Sequence, residues 1–331
     1  MQKIGCLGAA RIAPKALCDP AYGLDGAILH SVAARDFKRA EQFAKKYKFE
    51  KALAGYEDVV TDPDVTLVYN PLPINLHAEW TIRALEAGKH VLCEKPFAMN
   101  HAEASAMAAA ARANGVRLIE AFHYRYHPAF ETLMAWIEAG ALGDIQHLSA
   151  VFTVPIANKD GKEIRHLPET GGGAFMDLGC YPLHWVRSVM GEEPTEIRAE
   201  ATLTPRGVDE TMTAQFRFAK GAKAKLKASM APDQKFQARL SIIGTEGRVE
   251  FVNPLAPQMG ASLTLDRNGQ TEGIEISPVP TYTHQLIAVL DALETGKALP
   301  TEGDDTLNQQ AAIDAVYKTA GLEGLRYRNS L

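Results

Sequence analysis

The chain has 331 residues, of which 46% are hydrophobic and 23% are charged, and its formal net charge at pH 7 is -5. This balance is typical of a globular protein, and the length suggests about two domains. The acidic charge argues against a dedicated nucleic-acid-binding protein, which needs a basic face, and the apolar runs are too short to cross a membrane.

The four cysteines, Cys6, Cys18, Cys93 and Cys180, are scattered and form no redox or metal-site motif. The N-terminus enters an apolar strand without a signal-peptide pattern. Together these features predict a cytoplasmic protein with reduced thiols. The histidines form no metal-binding motif, so we expect no bound metal ion, and no Gly-x-Ser-x-Gly elbow of a serine hydrolase is present.

Strands and helices alternate through residues 1–122. Five apolar runs predict strands at 4–7, 27–33, 65–69, 90–93 and 116–120, with helices at 37–47, 75–87 and 101–114. Strands that are apolar throughout and separated by helices indicate a parallel sheet covered on both faces. The fold class predicted for this domain is therefore α/β, a doubly wound Rossmann sheet, whose ligands bind beyond the carboxyl ends of the strands.

The first strand-to-helix turn reads Gly8-Ala9-Ala10-Arg11-Ile12-Ala13. A full dinucleotide fingerprint has three glycines here, and alanine replaces the second and the third. A methyl group is small enough to let a pyrophosphate approach, whereas a plain packing junction is the alternative interpretation. Because the turn opens a long series of βα units, we assign Gly8, Ala10, Arg11 and Ile12 to cofactor binding.

The second predicted strand ends in alanine, and Arg35, Asp36, Phe37, Lys38 and Arg39 follow it. An NAD site usually has an acidic residue at this tip, which binds the ribose hydroxyls. Arg35 can instead bind a 2′-phosphate, and Lys38 or Arg39 can add a second positive charge. Asp36 can cap the next helix at the same time. The sequence therefore predicts NADP in preference to NAD.

Two further strand ends carry polar groups. The third strand leads into Asn70-Pro71-Leu72, with His77 opening the next helix, and the fourth leads into Glu94-Lys95-Pro96. The prolines favour extended backbone before them, and the bond before Pro96 is a candidate for the cis form. Lys95 projects from the carboxyl edge toward the expected nicotinamide. The residues assigned to the cofactor here are Asn70, Pro71, Leu72, His77, Glu94 and Lys95, and His77 is also a candidate substrate contact.

Residues 171–184 begin with a glycine run and place Asp177, Tyr181 and His184 at positions i, i+4 and i+7. On an α-helix these three side chains share one face, and a carboxylate, a phenol and an imidazole together are typical of proton transfer. The glycines suit a backbone that approaches a ligand closely. The alternatives are a helix-capping aspartate, a core tyrosine and a buried histidine.

From about residue 145 the pattern changes to successive strands, predicted at 145–154, 195–204, 211–218, 222–229, 237–243 and 248–252. Helices are predicted near 128–139, 181–190, 282–294 and 304–320. Many strands alternate polar and apolar residues, which indicates an open, largely antiparallel sheet with helices on one face. Residues 123–331 therefore form a predicted α+β domain for substrate binding and oligomerisation. An open sheet face commonly becomes an interface, so we expect a homodimer or a higher homo-oligomer.

Together these motifs resemble the Gfo/Idh/MocA oxidoreductase family, named after glucose–fructose oxidoreductase and inositol dehydrogenase. The resemblance covers almost the whole chain and rests on residues 8–13, 94–96, 120–128 and 171–184. In the family the lysine of the Glu-Lys-Pro motif, here Lys95, contacts the reacting hydroxyl. Tyr181 stands where inositol dehydrogenases have histidine, which is similar to glucose–fructose oxidoreductase and to the dimeric dihydrodiol and D-xylose dehydrogenases. His123 stands where that branch usually has an apolar residue.

The resemblance implies an NADP-dependent oxidoreductase that acts on a sugar, a cyclic polyol or a dihydrodiol. Tyr181 is the candidate acid and base, and the ammonium of Lys95 would lower the pKa of the phenol and stabilise the alkoxide. The third candidate catalytic residue is Asp177. The candidate substrate contacts are His123, Tyr124, Asp177 and His184, and Arg125 is a candidate cofactor contact. The alternatives are an NAD-dependent glycosidase of the same fold and a non-catalytic nucleotide-sensing protein.

Overall fold

The computed structural model describes residues 1–158 and 160–325. The chain divides into two compact units, of which the first comprises Met1–His123 and Tyr282–Leu307. The second comprises Tyr124–Thr281 and the chain from Asn308 onward. The first break falls one residue after the predicted domain boundary, whereas the sequence predicts the segment Tyr282–Leu307 within the second domain.

The first unit contains a six-stranded parallel sheet in the order β3-β2-β1-β4-β5-β6. The strands are β1 (Gln2–Leu7), β2 (Ala27–Ala33), β3 (Lys51–Leu53), β4 (Leu67–Asn70), β5 (His90–Cys93) and β6 (Leu118–Glu120). The helices along this part of the chain are α1 (Asp19–Ala21), α2 (Phe37–Tyr47), α3 (Tyr56–Thr61), α4 (His77–Glu86) and α5 (His101–Asn114). The predicted doubly wound fold is confirmed. The short β3 has no counterpart among the predicted strands.

The buried strands of this sheet have apolar residues on both faces. Every residue of β4 is buried, and Val68 and Val91 of neighbouring strands belong to one core cluster with Met107 of α5. Helix ends follow the expected capping rules, since Asn100 accepts a hydrogen bond at the start of α5 and Gly115 closes it with φ of 64°. Strand order reverses between β1 and β4, which is the position where open α/β sheets bind their ligands.

The second unit contains an eight-stranded sheet in the order β14-β13-β12-β11-β7-β10-β9-β8, in which only β7 and β10 pair in parallel. The strands are β7 (Ile145–Thr153), β8 (Glu196–Leu203), β9 (Asp209–Arg217), β10 (Lys223–Ser229), β11 (Gln237–Gly244), β12 (Gly247–Val252), β13 (Ser262–Arg267) and β14 (Gln270–Gly273). Its first two helices are α6 (Pro128–Glu138) and α7 (Cys180–Met190). The predicted open, largely antiparallel sheet is confirmed, with two further strands, β13 and β14.

Alternation along these strands separates two faces. In β10, Ala224 and Leu226 are buried on the face that α7 packs against, whereas Lys223 and Lys225 are exposed on the other face. This is the pattern expected of an antiparallel sheet with helices on one side.

The two C-terminal helices are α8 (Thr281–Thr295) and α9 (Asp304–Thr319). Apart from its first residue α8 belongs to the first unit, whereas α9 continues into the second. Arg117 anchors the α8 segment, because its guanidinium bonds the Glu302 carboxylate through Nε at 3.0 Å and the carbonyl of Lys297 at 2.8 Å. Within the described residues, no helix combines the length and the apolar character needed to cross a membrane.

Candidate functional site

A cavity of about 290 Å³ lies in the first unit, beyond the carboxyl ends of β1, β2 and β4. It therefore lies at the reversal of strand order, where the sequence predicts the cofactor. The residues that line it are Gly8, Ala9, Ala10, Ala34, Arg35, Asp36, Arg39, Tyr56, Pro71, Leu72, Pro73 and Leu76.

The turn after β1 forms one wall of this cavity. Gly8 has φ of 105°, a conformation that favours glycine, and a Cβ built there would lie 3.2 Å from Leu72 Cδ2. Ala10 also lines the cavity, so its methyl group leaves room for a ligand. Arg39 Nη2 donates to the carbonyl of Ala9 at 2.7 Å and holds the turn. Arg11 is exposed, and neither it nor Ile12 lines the cavity.

Two arginines supply the positive charge of the cavity. Arg35 and Arg39 line it, whereas Lys38 is exposed and lies outside the lining. Asp36 caps α2, because its Oδ1 accepts a hydrogen bond from the Lys38 amide at 2.9 Å. Tyr56, which no sequence motif marks, is the other large polar group; burial raises its pKa, and the charges of the two arginines act in the opposite direction.

Asn70 and His77 shape the loops around the cavity. Asn70 is fully buried, and its Nδ2 donates to Thr81 Oγ1 at 3.0 Å. His77 Nε2 lies 2.8 Å from the Leu72 carbonyl oxygen, and Nδ1 lies 3.1 Å from that of Pro96. Burial lowers the pKa of His77 to about 4, so the ring is neutral at pH 7. Asn70 therefore connects the end of β4 to α4, and His77 connects two loop segments, while Pro71 and Leu72 line the cavity.

Glu94 fixes the end of β5 next to Lys95. Its Oε1 accepts a hydrogen bond from the Tyr69 hydroxyl at 2.7 Å, and its Oε2 lies 3.3 Å from the Lys95 amide nitrogen. Burial, followed by the Glu94 carboxylate, raises the pKa of Tyr69 well above its usual value. Lys95 is half-buried, and its peptide bond to Pro96 is cis.

His123 is a buried, neutral ring at the end of the first segment of this unit. Its ring packs against that of Tyr282 at a tilt of 34°, with the ring centroids 4.0 Å apart. Burial, with a contribution from the Lys95 charge, lowers the pKa of His123 to about 3. The Lys95 ammonium therefore acts electrostatically on this histidine. Tyr282 lies far along the chain in α8, and no local pattern identifies it as a partner.

In the second unit, an aromatic cluster surrounds Tyr181. The Tyr124 hydroxyl lies 2.5 Å from His184 Nδ1, and both residues are fully buried. The Tyr181 ring centroid lies 6.1 Å from that of Tyr124 and 5.8 Å from that of Phe152, in edge-on arrangements. Tyr181 itself is 5% exposed. Two of the predicted substrate contacts, Tyr124 and His184, are therefore bonded to each other.

Arg125 also lies in the second unit. Its guanidinium carbon lies 5.3 Å from the centroid of the Phe130 ring, a cation–π arrangement. This contact places the guanidinium against a side chain of α6. The predicted role in cofactor binding stays a prediction.

The backbone before α7 differs from the helix that the sequence predicts. Phe175–Gly179 form a π-helical turn, in which the Cys180 amide bonds the Phe175 carbonyl five residues back. Pro182 has no N–H group, so the Leu178 carbonyl lacks its regular α-helical donor from that residue. A π turn holds more residues than an α turn, so the i, i+4, i+7 argument for one shared face does not apply to Asp177.

Asp177 has an arginine as its partner. Arg165 Nε donates to Asp177 Oδ2 at 2.6 Å, and Arg165 Nη1 donates to Glu163 Oε1 at 2.8 Å. Asp177, followed by Glu163, raises the pKa of Arg165 above its ordinary value. Arg165 lies in a short 3₁₀ turn, Ile164–His166, twelve positions before Asp177. Sequence reasoning missed it because no helix or strand spacing connects the two residues.

The glycine run before Asp177 is packed against protein, which corrects the expectation that it suits the approach of a ligand. A Cβ on Gly172 would lie 2.6 Å from the Arg165 carbonyl oxygen, and one on Gly173 would lie 2.2 Å from Asp209 Oδ1. The fully buried Asp209 also accepts hydrogen bonds from the Phe175 amide at 2.6 Å and from the Tyr317 hydroxyl at 2.7 Å. These contacts fix the start of the π turn.

One group among the described residues, His30, Asp62 and Asp64, brings potential metal ligands within reach of each other. Lys51 pairs with Asp62 at 3.3 Å, and Lys3 pairs with Asp64 at 3.0 Å, so lysines already balance the two carboxylates. The group is separate from the cavity lining.

Comparison with known protein families matches both parts of the chain. Residues 2–122 match the model of the oxidoreductase family with an NAD-binding Rossmann fold. Residues 130–250 match the model of the GFO/IDH/MocA C-terminal domain.

Individual relatives match over most of their length. D-xylose 1-dehydrogenase (NADP(+)) 2 of Haloferax volcanii is 32% identical over 320 residues, which is 96% of each chain. Trans-1,2-dihydrobenzene-1,2-diol dehydrogenase of Xenopus tropicalis is 34% identical over 67% of this chain and 66% of that protein. Among solved structures, KijD10, a 3-ketoreductase from Actinomadura kijaniata in complex with NADP and TDP-benzene, has a TM-score of 0.87 and 27% identity over 96% of this chain and 97% of its own. The chain therefore belongs to the Gfo/Idh/MocA family of nicotinamide-dependent oxidoreductases.

Proposed function

We propose that the protein transfers hydride between NADP and a secondary alcohol or carbonyl group of a sugar, a cyclic polyol or a dihydrodiol. The observation that carries the proposal is the cavity beyond β1, in which a glycine turn and two arginines face the same space. A glycine turn suits a pyrophosphate, and paired guanidinium groups suit a phosphate monoester.

The residues of the cavity fit the dinucleotide. Gly8 and Ala10 offer close backbone approach for the pyrophosphate, and Arg35 and Arg39 offer charge-assisted hydrogen bonds for a 2′-phosphate. An acidic residue in the position of Arg35 would instead favour the free ribose hydroxyls of NAD. The nicotinamide, when bound, accepts or returns the hydride.

Residues of the chain remove and return the hydroxyl proton and stabilise the charge on the substrate oxygen. Tyr181 removes the hydroxyl proton in oxidation and returns it in reduction. Lys95, which Glu94 and the preceding strand position, stabilises the negative charge on the substrate oxygen. Asp177 accepts a hydrogen bond from a substrate hydroxyl, because its pairing with Arg165 favours the ionised carboxylate.

The relatives support the substrate class. One is named for D-xylose, a second for a dihydrobenzene diol and a third for the reduction of a ketone. All three names describe a hydroxyl or carbonyl group as the reacting group. A tyrosine at position 181 is similar to the sugar and dihydrodiol branch of the family.

A second copy of this chain is the proposed partner of the open sheet face. That face carries exposed charges of both signs, with Glu196 and Glu200 on β8 and Lys223 and Lys225 on β10. Two such faces related by a twofold axis can pair opposite charges. We therefore propose a homodimer through this sheet.

A substrate panel tests the function. D-xylose, D-glucose, myo-inositol and trans-dihydrobenzenediol are each offered with NADP⁺ or NAD⁺, and nicotinamide absorbance is followed. We expect turnover of at least one compound, with a higher kcat/KM for NADP⁺. Absence of hydride transfer with the whole panel would contradict the proposed substrate class.

An arginine variant tests the cofactor assignment. Arg35→Ala should raise the Kd of NADP⁺ about tenfold, and that of NAD⁺ much less, because only NADP⁺ carries the 2′-phosphate. Lys38→Ala is the matched control, since Lys38 lies outside the cavity lining. Equal weakening of both cofactors would refute the phosphate site.

A further inference from the structure

The Asp177 carboxylate is held by an arginine from a separate segment of the second unit. The contact is a short charge-assisted hydrogen bond of 2.6 Å from Arg165 Nε to Oδ2. The Asp177 side chain is 20% exposed and that of Arg165 is 38% exposed. Solvent and small molecules can therefore reach the pair. Because most of the Asp177 side chain is buried, its orientation depends on its protein partner.

The main chain of Arg165 is fixed independently of its side chain. Its carbonyl accepts a hydrogen bond from the Gly173 amide at 2.9 Å and packs against Gly172. Glu163 caps the same short turn and bonds Arg165 Nη1 on the other side of the guanidinium. These contacts fix the backbone of the segment that carries the guanidinium toward Asp177. A substitution of the Arg165 side chain leaves the backbone contacts in place.

We propose that Arg165 is a positioning residue for Asp177. It orients the carboxylate and holds its negative charge, so that Asp177 can accept a hydrogen bond from a substrate hydroxyl. Arg165 therefore acts on substrate affinity through Asp177 rather than on the proton transfer at Tyr181. This inference rests on the proposed function, in which Asp177 contacts the substrate.

The test measures KM and kcat separately, with NADP⁺ and the best substrate of the panel. Arg165→Met should raise KM about tenfold and change kcat little, as expected when a binding interaction is lost. Asp177→Asn should act in the same direction, and the double variant should be no worse than the poorer single one, because the two residues act as a unit. Arg165→Lys, which keeps the charge, should partly restore KM. Lys162→Met, the matched control, removes an exposed positive charge three positions before Arg165 and should leave KM close to that of the wild type.

Two results would overturn this inference and leave the proposed function intact. One is a normal KM for Arg165→Met while Asp177→Asn raises KM, and the other is fully additive effects in the double variant. If Asp177→Asn leaves KM unchanged, the proposed substrate contact fails and the inference fails with it. Circular dichroism and thermal unfolding check that each variant is folded. Should Arg165→Met fail to fold, Arg165→Gln takes its place, because glutamine is polar but carries no charge. An unchanged KM in Arg165→Gln together with a raised KM in Asp177→Asn would contradict a positioning role.

Discussion

The turn after β1 and the segment before α7 follow the same local plan, although they lie in different units. Each contains a glycine with a left-handed φ, 105° at Gly8 and 133° at Gly173, and each continues into a π-helical turn. A proline follows each π turn, Pro20 in the first region and Pro182 in the second. Their surroundings differ, because Gly8 borders a cavity whereas Gly173 is packed against Asp209 and Tyr317.

This difference shows that a glycine with a positive φ can have two different structural roles. In the first region the glycine borders a cavity and its nearest neighbour is Leu72, and in the second the missing side chain leaves space for the protein's own buried carboxylate. The sequence alone does not distinguish the two cases, because the partner of Gly173 comes from β9, far along the chain. This agrees with the proposal that the first region binds the cofactor, whereas the second region places the segment that carries Tyr181.

The largest expected effect separates the chemical roles of the two regions. Tyr181→Phe should lower kcat by about 10² to 10⁴-fold, the usual range for a lost general acid or base. The Kd of NADP⁺, measured by fluorescence titration, should stay within about twofold of wild type, because the binding cavity lies in the first region. Unchanged turnover in this variant would contradict the proposed mechanism.

A pair of glycine substitutions tests the packing difference directly. Gly173→Ala should destabilise the protein by about 3 kcal/mol or more, because the new Cβ meets a buried carboxylate as well as backbone strain. Gly8→Ala should cost about 1–2 kcal/mol from backbone strain, since its nearest neighbour is a Leu72 methyl group, and should weaken NADP⁺ binding. Chemical denaturation and cofactor titration measure both effects. Equal loss of stability in the two variants would contradict the difference in packing between Gly8 and Gly173.

The smallest expected effect concerns His123. Its pKa is lowered to about 3 in the folded protein, whereas an unfolded chain binds the proton near pH 6.5. The unfolded state therefore gains protons first as the pH falls, and the stability contributed by the neutral ring is present above pH 6.5 and is lost progressively toward pH 3. Between pH 6.5 and 5.5 this residue should account for about 1 kcal/mol of lost unfolding free energy.

His123→Phe is the variant that isolates this contribution. Phenylalanine keeps an aromatic ring beside Tyr282 and cannot bind a proton. The decline in stability between pH 6.5 and 5.5, measured by urea unfolding, should be shallower in the variant. An identical pH dependence in the two proteins would show that His123 titrates normally.

Local patterns were sufficient for most of the fold and for several of the residues that line the cavity. Apolar periodicity predicts β1, β2, β5 and the longer strands of the eight-stranded sheet, because a regular element that is buried has apolar residues at regular spacing. The short β3 and the polar β13 and β14 leave weaker traces. Arg35 was predictable because the strand tip fixes its place in the fold.

Partners that come together only through tertiary folding could not be predicted. Arg165, Asp209 and Tyr282 each contact a predicted site residue or its backbone from a separate part of the chain, and nothing in their local sequence marks them. The π turn before α7 was missed for another reason: Pro182 is compatible with the first turn of an α-helix, and only the observed hydrogen bond from Cys180 to Phe175 reveals the wider turn.

The anchoring of α8 by Arg117 has a consequence for the order of folding during synthesis. Arg117 bonds Glu302 and the Lys297 carbonyl, which are made about 180 residues later. The ribosome must therefore produce nearly the whole chain before the first unit can complete its contacts. All six strands of the first sheet are therefore synthesised before the partners of Arg117 exist, and the whole second sheet is synthesised in between.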